Sequence, residues 1–394
     1  MEVKLQKGSP YTITAVYYLA SICVGASTAV LGPTLQGLAK TTASTLAQIS
    51  SLFLLSSFGY LLGSLTAGRI YDRVRGHSII SLVSLALAVI LGIVPLTHKL
   101  ILLQFLFLLL GFAQGSLDVG LNTLIVWLYS KRVPPFMNGL HASYGIGTTL
   151  APLITVAVLA SMGSLKSIYW VLAILVLPVA LLMPIFHSPS HNHAKQPEGD
   201  KPVTSSRVLL AALVFFAFTG AELGFGGWIY TFSTSQSYGD PTMAATVNAS
   251  FWGALTIGRL LAIPLAVKLK PARILWINFC GTILSLLILV IFSRTELFLW
   301  LGTIGTGLFM ASTFPTLLND AQSRMPISGK ITSIFFTGSS LGSMALPWLM
   351  GQLIAPYGAT VSMLVVLCSI LLASGAFYIL NIKQYSIALP RSNY

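Results

Sequence analysis

Twelve apolar stretches follow one another through this chain with short polar breaks between them. Each is long enough to cross a bilayer as a helix, which takes about 20 residues. They lie near 11–36, 46–71, 77–97, 100–129, 135–163, 166–186, 207–236, 242–267, 272–293, 297–323, 328–355 and 357–381. In lipid, backbone polar groups must be satisfied within the chain itself, so such stretches form helices. Only 8% of the 394 residues are charged, against about 25% in a soluble domain. The expectation is an all-α, polytopic membrane protein with twelve transmembrane helices in two six-helix bundles.

The net charge of +13 invites a nucleic-acid reading, but placement argues against it. Eighteen of the 22 Lys and Arg are assigned to the side that holds the N-terminus, and four (Lys40, Lys99, Lys166, Arg294) to the other. That is the pattern by which short loops set topology, and it predicts cytoplasmic termini in a plasma or inner membrane. The alternation also requires an even number of spans. Residues 187–206 are polar, Pro-bearing and rich in His, and read as a linker between bundles 1–186 and 207–394. His187, His191 and His193 lack a Cys or acid to complete a metal site, and no metal or organic cofactor is expected. The three cysteines fall in apolar segments and imply no disulfide framework.

The halves repeat. Gly63-x4-Gly68-Arg69 in the second span matches Gly253-x4-Gly258-Arg259 in the eighth, an offset of 190, and Gly147-x4-Pro152 matches Gly342-x4-Pro347, an offset of 195. Six-plus-six parallel repeats are a transporter architecture. The loop after the second span reads Gly68-Arg69-Ile70-Tyr71-Asp72-Arg73. Gly68 suits close helix approach, and Asp72 with Arg73 suits a polar latch. Gly258 and Arg259 would be the counterparts in the second half.

Two acids stand out against this background. Asp118 and Glu222 lie deep in apolar runs, with no Lys or Arg within eight residues of either. An intramembrane acid is costly and generally marks an ion or solute path. Gln114, Asp118 and Asn122 recur every four residues, so they share one helical stripe. His141 is the ionisable group of the fifth span. Trp228, Tyr230 and Trp252 offer flat apolar faces of the kind that stack on sugar rings or cations.

The Gly68-to-Arg73 loop resembles that of the major facilitator superfamily. Ser116-to-Asn122, Leu140-His141, Gly220-Ala221-Glu222, Phe314-Pro315-Thr316 and Gly32-Pro33-Thr34-Leu35 resemble its branch of sodium-dependent glucose transporters and the fucose–proton symporter. The resemblance implies the major facilitator fold, a monomer, and an acid in the fourth span that carries the coupling cation. It departs in the first span, where the symporter has an acid and this chain has none.

The expected function is therefore cation-coupled symport, with H⁺ or Na⁺, of a small polar solute, foremost a sugar. Asp118, Glu222 and His141 are the candidates for ion coupling. Gln114, Asn122, His141, Glu222, Trp228, Tyr230 and Trp252 are the candidates for the solute, and Gly68, Asp72, Arg73 and Arg259 for gating. The lipid bilayer is the other expected partner. A proton-coupled exporter of an amphiphilic or cationic solute is the alternative within transport, and a non-transporting receptor or scaffold the alternative outside it. No span pairs an acid and base with a nucleophile, so an enzyme is not expected.

Overall fold

The computed structural model describes residues 9–71, 73–161, 164–189, 205–236, 240–292, 295–324 and 329–388. Most of the expected linker and Asp72 lie outside the described residues. The helices are α1 (Pro10–Ala29), α2 (Leu31–Thr41), α3 (Leu46–Ile49), α4 (Ser51–Tyr71), α5 (Gly76–Ile93), α6 (Leu100–Tyr129), α7 (Val133–Ser161), α8 (Leu165–Leu182), α9 (Ser205–Ser235), α10 (Pro241–Lys268), α11 (Pro271–Phe292), α12 (Glu296–Met310), α13 (Thr313–Arg324), α14 (Gly329–Tyr357) and α15 (Thr360–Ala388). Three spans are built from two helices each: α1 with α2, α3 with α4, and α12 with α13. That gives twelve. Eleven stretches of the described residues are long and apolar enough to cross a membrane. The remaining span, α14, is 29 residues long. Its Gly and Ser positions lower its apolarity on the side that packs against α9 and α4, while Phe336, Leu341, Trp348 and Leu349 are exposed.

Association of helices in lipid depends on close packing, because tails and side chains are equally apolar. Glycines supply it here. A Cβ on Gly147 would lie 2.0 Å from the Ile22 carbonyl oxygen, and one on Gly342 would lie 2.0 Å from that of Phe216. Hence α7 seats on α1 as α14 seats on α9, with the glycines offset by 195 and the carbonyls they meet by 194. The other repeat is corrected by the same contacts. Gly63 abuts Phe112 and Gly258 abuts Leu308, so Gly63, not Gly68, is the counterpart of Gly258. In this register Arg259 matches Ser64 and leaves the loop tally of basic residues. Gly68 is exposed and meets no atom within 4 Å, so it serves no close approach in this conformation. Arg73 is likewise exposed.

Gly147→Val is expected to force α1 and α7 apart, costing about 1–3 kcal/mol or more as an overpacked contact does. Thermal unfolding of the variant in detergent checks this. An unchanged melting temperature would mean the two backbones are not so close.

Prolines free specific carbonyls inside the bundle. A helical Pro removes the bond to the carbonyl four residues earlier. Pro33 does so to Ala29, where α1 gives way to α2. Pro315 does so to Ala311, where α12 gives way to α13. Pro347 does so to Ser343 within α14. All three carbonyls belong to residues near the space between the halves.

The halves meet at the end remote from the N-terminus. Ser57 Oγ donates to Ser343 O (3.2 Å), Gln352 Nε2 to Ala47 O (2.8 Å), and Gln36 Nε2 to Thr234 Oγ1 (2.9 Å). At the other end α10 stands clear, with almost every residue from Leu260 to Lys268 exposed. The described hydrogen bonds between the halves lie at the remote end, so the end that carries the N-terminus is the less tied one and is taken as the open side.

Candidate solute and cation site

Asp118 sits on α6, half-buried, within electrostatic range of His141 and Tyr144 on α7. The Tyr60 hydroxyl on α4 donates to its Oδ2. Asn122 Nδ2 donates to its Oδ1 (3.1 Å) and to its backbone carbonyl (2.8 Å). The four-residue spacing read from the sequence thus makes Asn122 a donor to Asp118 and not a free solute contact. No cation pairs with Asp118 among the described residues, whereas the other intramembrane acid, Glu222, has one.

That pair corrects the sequence reading of Glu222 as an isolated acid. Arg259 Nη2 lies 3.2 Å from Glu222 Oε1, with side-chain exposures of 32% and 11%. Arg259 Nε also donates to the Ala311 carbonyl (3.3 Å), the one orphaned by Pro315. Arg259 is therefore an intramembrane residue that links α10, α9 and the break between α12 and α13. It is not a loop residue at the gate.

His141 on α7 is exposed to the open side and lies within electrostatic range of Asp118 and Arg259. Tyr144, one turn on, lies beside Thr28 and within range of Asp118, Arg259 and Glu222. These groups form one polar layer across the interface between the halves. Tyr60, Tyr144 and Thr28 were not singled out from sequence. The signal for Tyr60 was available: Ser56, Ser57 and Tyr60 are polar positions in an apolar span, at spacings that share a face.

Deeper in, beyond the open side, lies a central cavity of about 60 Å³. Both halves line it, with Ser27, Thr28 and Ser56 from one and Gly226, Trp252 and Ser343 from the other. Gln114 is buried and donates to Ser27 Oγ (2.9 Å), so it orients a wall residue without reaching the cavity. Trp252 is a wall residue itself. Trp228 is not: it is fully buried, its Nε1–H donates to Pro347 O (2.8 Å), and its ring packs 5.7 Å from Phe53. It is a wedge between α9 and α14. Tyr230 packs on Ala244, Ala245 and Val156 and borders a separate outer cavity of about 760 Å³. Among the described residues no cluster of His, Cys, Asp and Glu could hold a metal ion.

This is a twelve-span bundle of two repeated halves with a polar, charged layer between them, the arrangement of a secondary transporter. The sequence profile of the Major Facilitator Superfamily matches residues 17–347, and the chain belongs to that family. It is 33% identical over 355 residues to sodium-dependent glucose transporter 1 of Xenopus laevis, covering 82% of this chain and 72% of the relative. It is 30% identical over 372 residues to the human protein of that name, covering 85% and 72%. Among solved structures it is similar to the nucleoside transporter NupG, with a TM-score of 0.75, 14% identity and coverage of 94% of this chain and 100% of that one. A bacterial homolog of the human lysosomal transporter Spinster gives a TM-score of 0.74 at 13% identity, covering 98% and 100%. The chain is an integral, multi-pass membrane transporter.

Proposed function

We propose that this chain is a symporter that moves a sugar together with a monovalent cation by alternating access, with Asp118 as the coupling acid. The observation that carries the reading is the asymmetry of the two acids. Glu222 has its cation in Arg259. Asp118 is half-buried and has donors from Tyr60 and Asn122, but among the described residues no cation at ion-pair distance. Binding of H⁺ or Na⁺ there neutralises the carboxylate before the halves close over it. An uncompensated charge is costly in a closed, low-dielectric site, so the empty acid resists closure and the loaded one permits it.

The names of the relatives favour Na⁺ and glucose. The basic-residue bias favours a cytoplasmic N-terminal face, and with it a cytoplasmic open side. A plasma or inner membrane and a monomeric unit complete the proposal. Purified protein in proteoliposomes is expected to accumulate labelled glucose above equilibrium when an inward Na⁺ or H⁺ gradient is imposed. Dissipating the gradient is expected to abolish accumulation. Failure of either gradient to drive any hexose inward would refute the symport reading.

A further inference from the structure

We propose that Trp252 reads a solute hydroxyl through its indole N–H and so sets the solute specificity of the central cavity. The inference rests on the sugar-transport reading above and adds where and how the solute is recognised. Trp252 lines the cavity yet is only 4% exposed, and its Nε1–H has no partner among the described residues. A buried donor without an acceptor is a substantial cost, so a native site that keeps one has a use for it. Trp228 makes the contrast, because its N–H is satisfied by Pro347 O within the fold.

One turn earlier on the same face of α10, Asn248 is fully buried. Its Nδ2 donates to Gly226 O (2.7 Å), and its Oδ1 is left without a partner. Among the described residues the helix thus carries an unpaired donor and an unpaired acceptor four positions apart, the donor on a residue of the cavity wall and the acceptor on one behind it. A hydroxyl both donates and accepts, so a polyol ring supplies what this pair lacks, whereas an amine or an apolar solute does not.

The surrounding backbone is built to admit the indole. A Cβ at Gly226 would lie 2.3 Å from Trp252 Cζ2. Any side chain there displaces the ring from the wall. The opposite wall brings Ser27, held by Gln114, and Ser56. Trp252 and these hydroxyls line one space of about 60 Å³, and its indole N–H is covered in this conformation, so the halves must move for a solute to reach it.

The test is glucose uptake and exchange in proteoliposomes by wild type and Trp252→Phe, which keeps an aromatic wall and removes the N–H. Each of the mono-deoxyglucoses is run as a competitor. Wild type is expected to reject one deoxy position roughly tenfold relative to glucose, the ratio one hydrogen bond of about 1.4 kcal/mol gives. Trp252→Phe is expected to raise the KM for glucose by a similar factor and to stop distinguishing that one deoxy position. The other positions are expected to stay as in wild type. A merely structural role for Trp252 would move all analogues together and would overturn the proposal, as would a Trp252→Phe profile identical to wild type. Absence of hexose transport by wild type would instead overturn the sugar reading, and the hydroxyl contact with it.

Discussion

Asp118→Asn is expected to reduce gradient-driven accumulation of solute to its equilibrium level. The amide keeps the shape of the carboxylate and can still meet Asn122 and Tyr60, which donate to Asp118 now. It cannot change charge, so the empty and loaded states no longer differ. Coupling requires that cation and solute favour the same conformational state, and with the charge removed that linkage goes to zero. A tenfold gradient of a monovalent ion stores about 1.4 kcal/mol, all of which would fail to reach the solute. Solute–solute exchange needs no such linkage and is expected to persist. The check is a pair of measurements on one preparation: accumulation against an imposed gradient, and counterflow at zero gradient. Wild-type accumulation by Asp118→Asn would remove Asp118 from the coupling step.

The second large effect is expected at Glu222 and Arg259. Removing one partner of a buried ion pair costs about 3–5 kcal/mol, because the other charge is left uncompensated. Arg259 is about a third exposed, so solvent screening lowers the expectation to about 1–3 kcal/mol for either Glu222→Gln or Arg259→Gln. Arg259→Gln also leaves the Ala311 carbonyl without the guanidinium Nε, which makes it the more damaging of the two. The double variant restores neutrality and is expected to unfold at a higher temperature than Arg259→Gln alone. Thermal unfolding of the four proteins in one detergent decides it. Additive losses in the double variant would show that the two charges do not interact.

Much of the fold was legible because lipid imposes a simple rule on sequence. Span number and helix type follow from apolar length, and the observed helix limits fall within seven residues of the expected ones, the largest difference being at the C-terminal end of α15. The Asp118 and Asn122 stripe was legible for the same local reason, since four residues make one turn. What escaped was tertiary. Glu222 and Arg259 lie 37 positions apart, and no periodicity announces that α9 and α10 bring them together. The repeat was misaligned by five residues at Gly258, because glycines are common in such helices and any two can be matched. Only the neighbours, Phe112 for Gly63 and Leu308 for Gly258, fix the register. The aromatic residues show the same limit. Trp228 and Trp252 look alike in sequence, but one N–H ends on Pro347 O and the other on nothing.

The bond from Ser57 to the Ser343 carbonyl holds the outer end shut using an oxygen that Pro347 has already released from its helix. Parting the halves there breaks a hydroxyl contact and unwinds no turn of α14. The carbonyl is then free to take water, and free again to receive Ser57 on the return stroke. A contact made to such a spare acceptor breaks and re-forms at no cost to the helix that carries it.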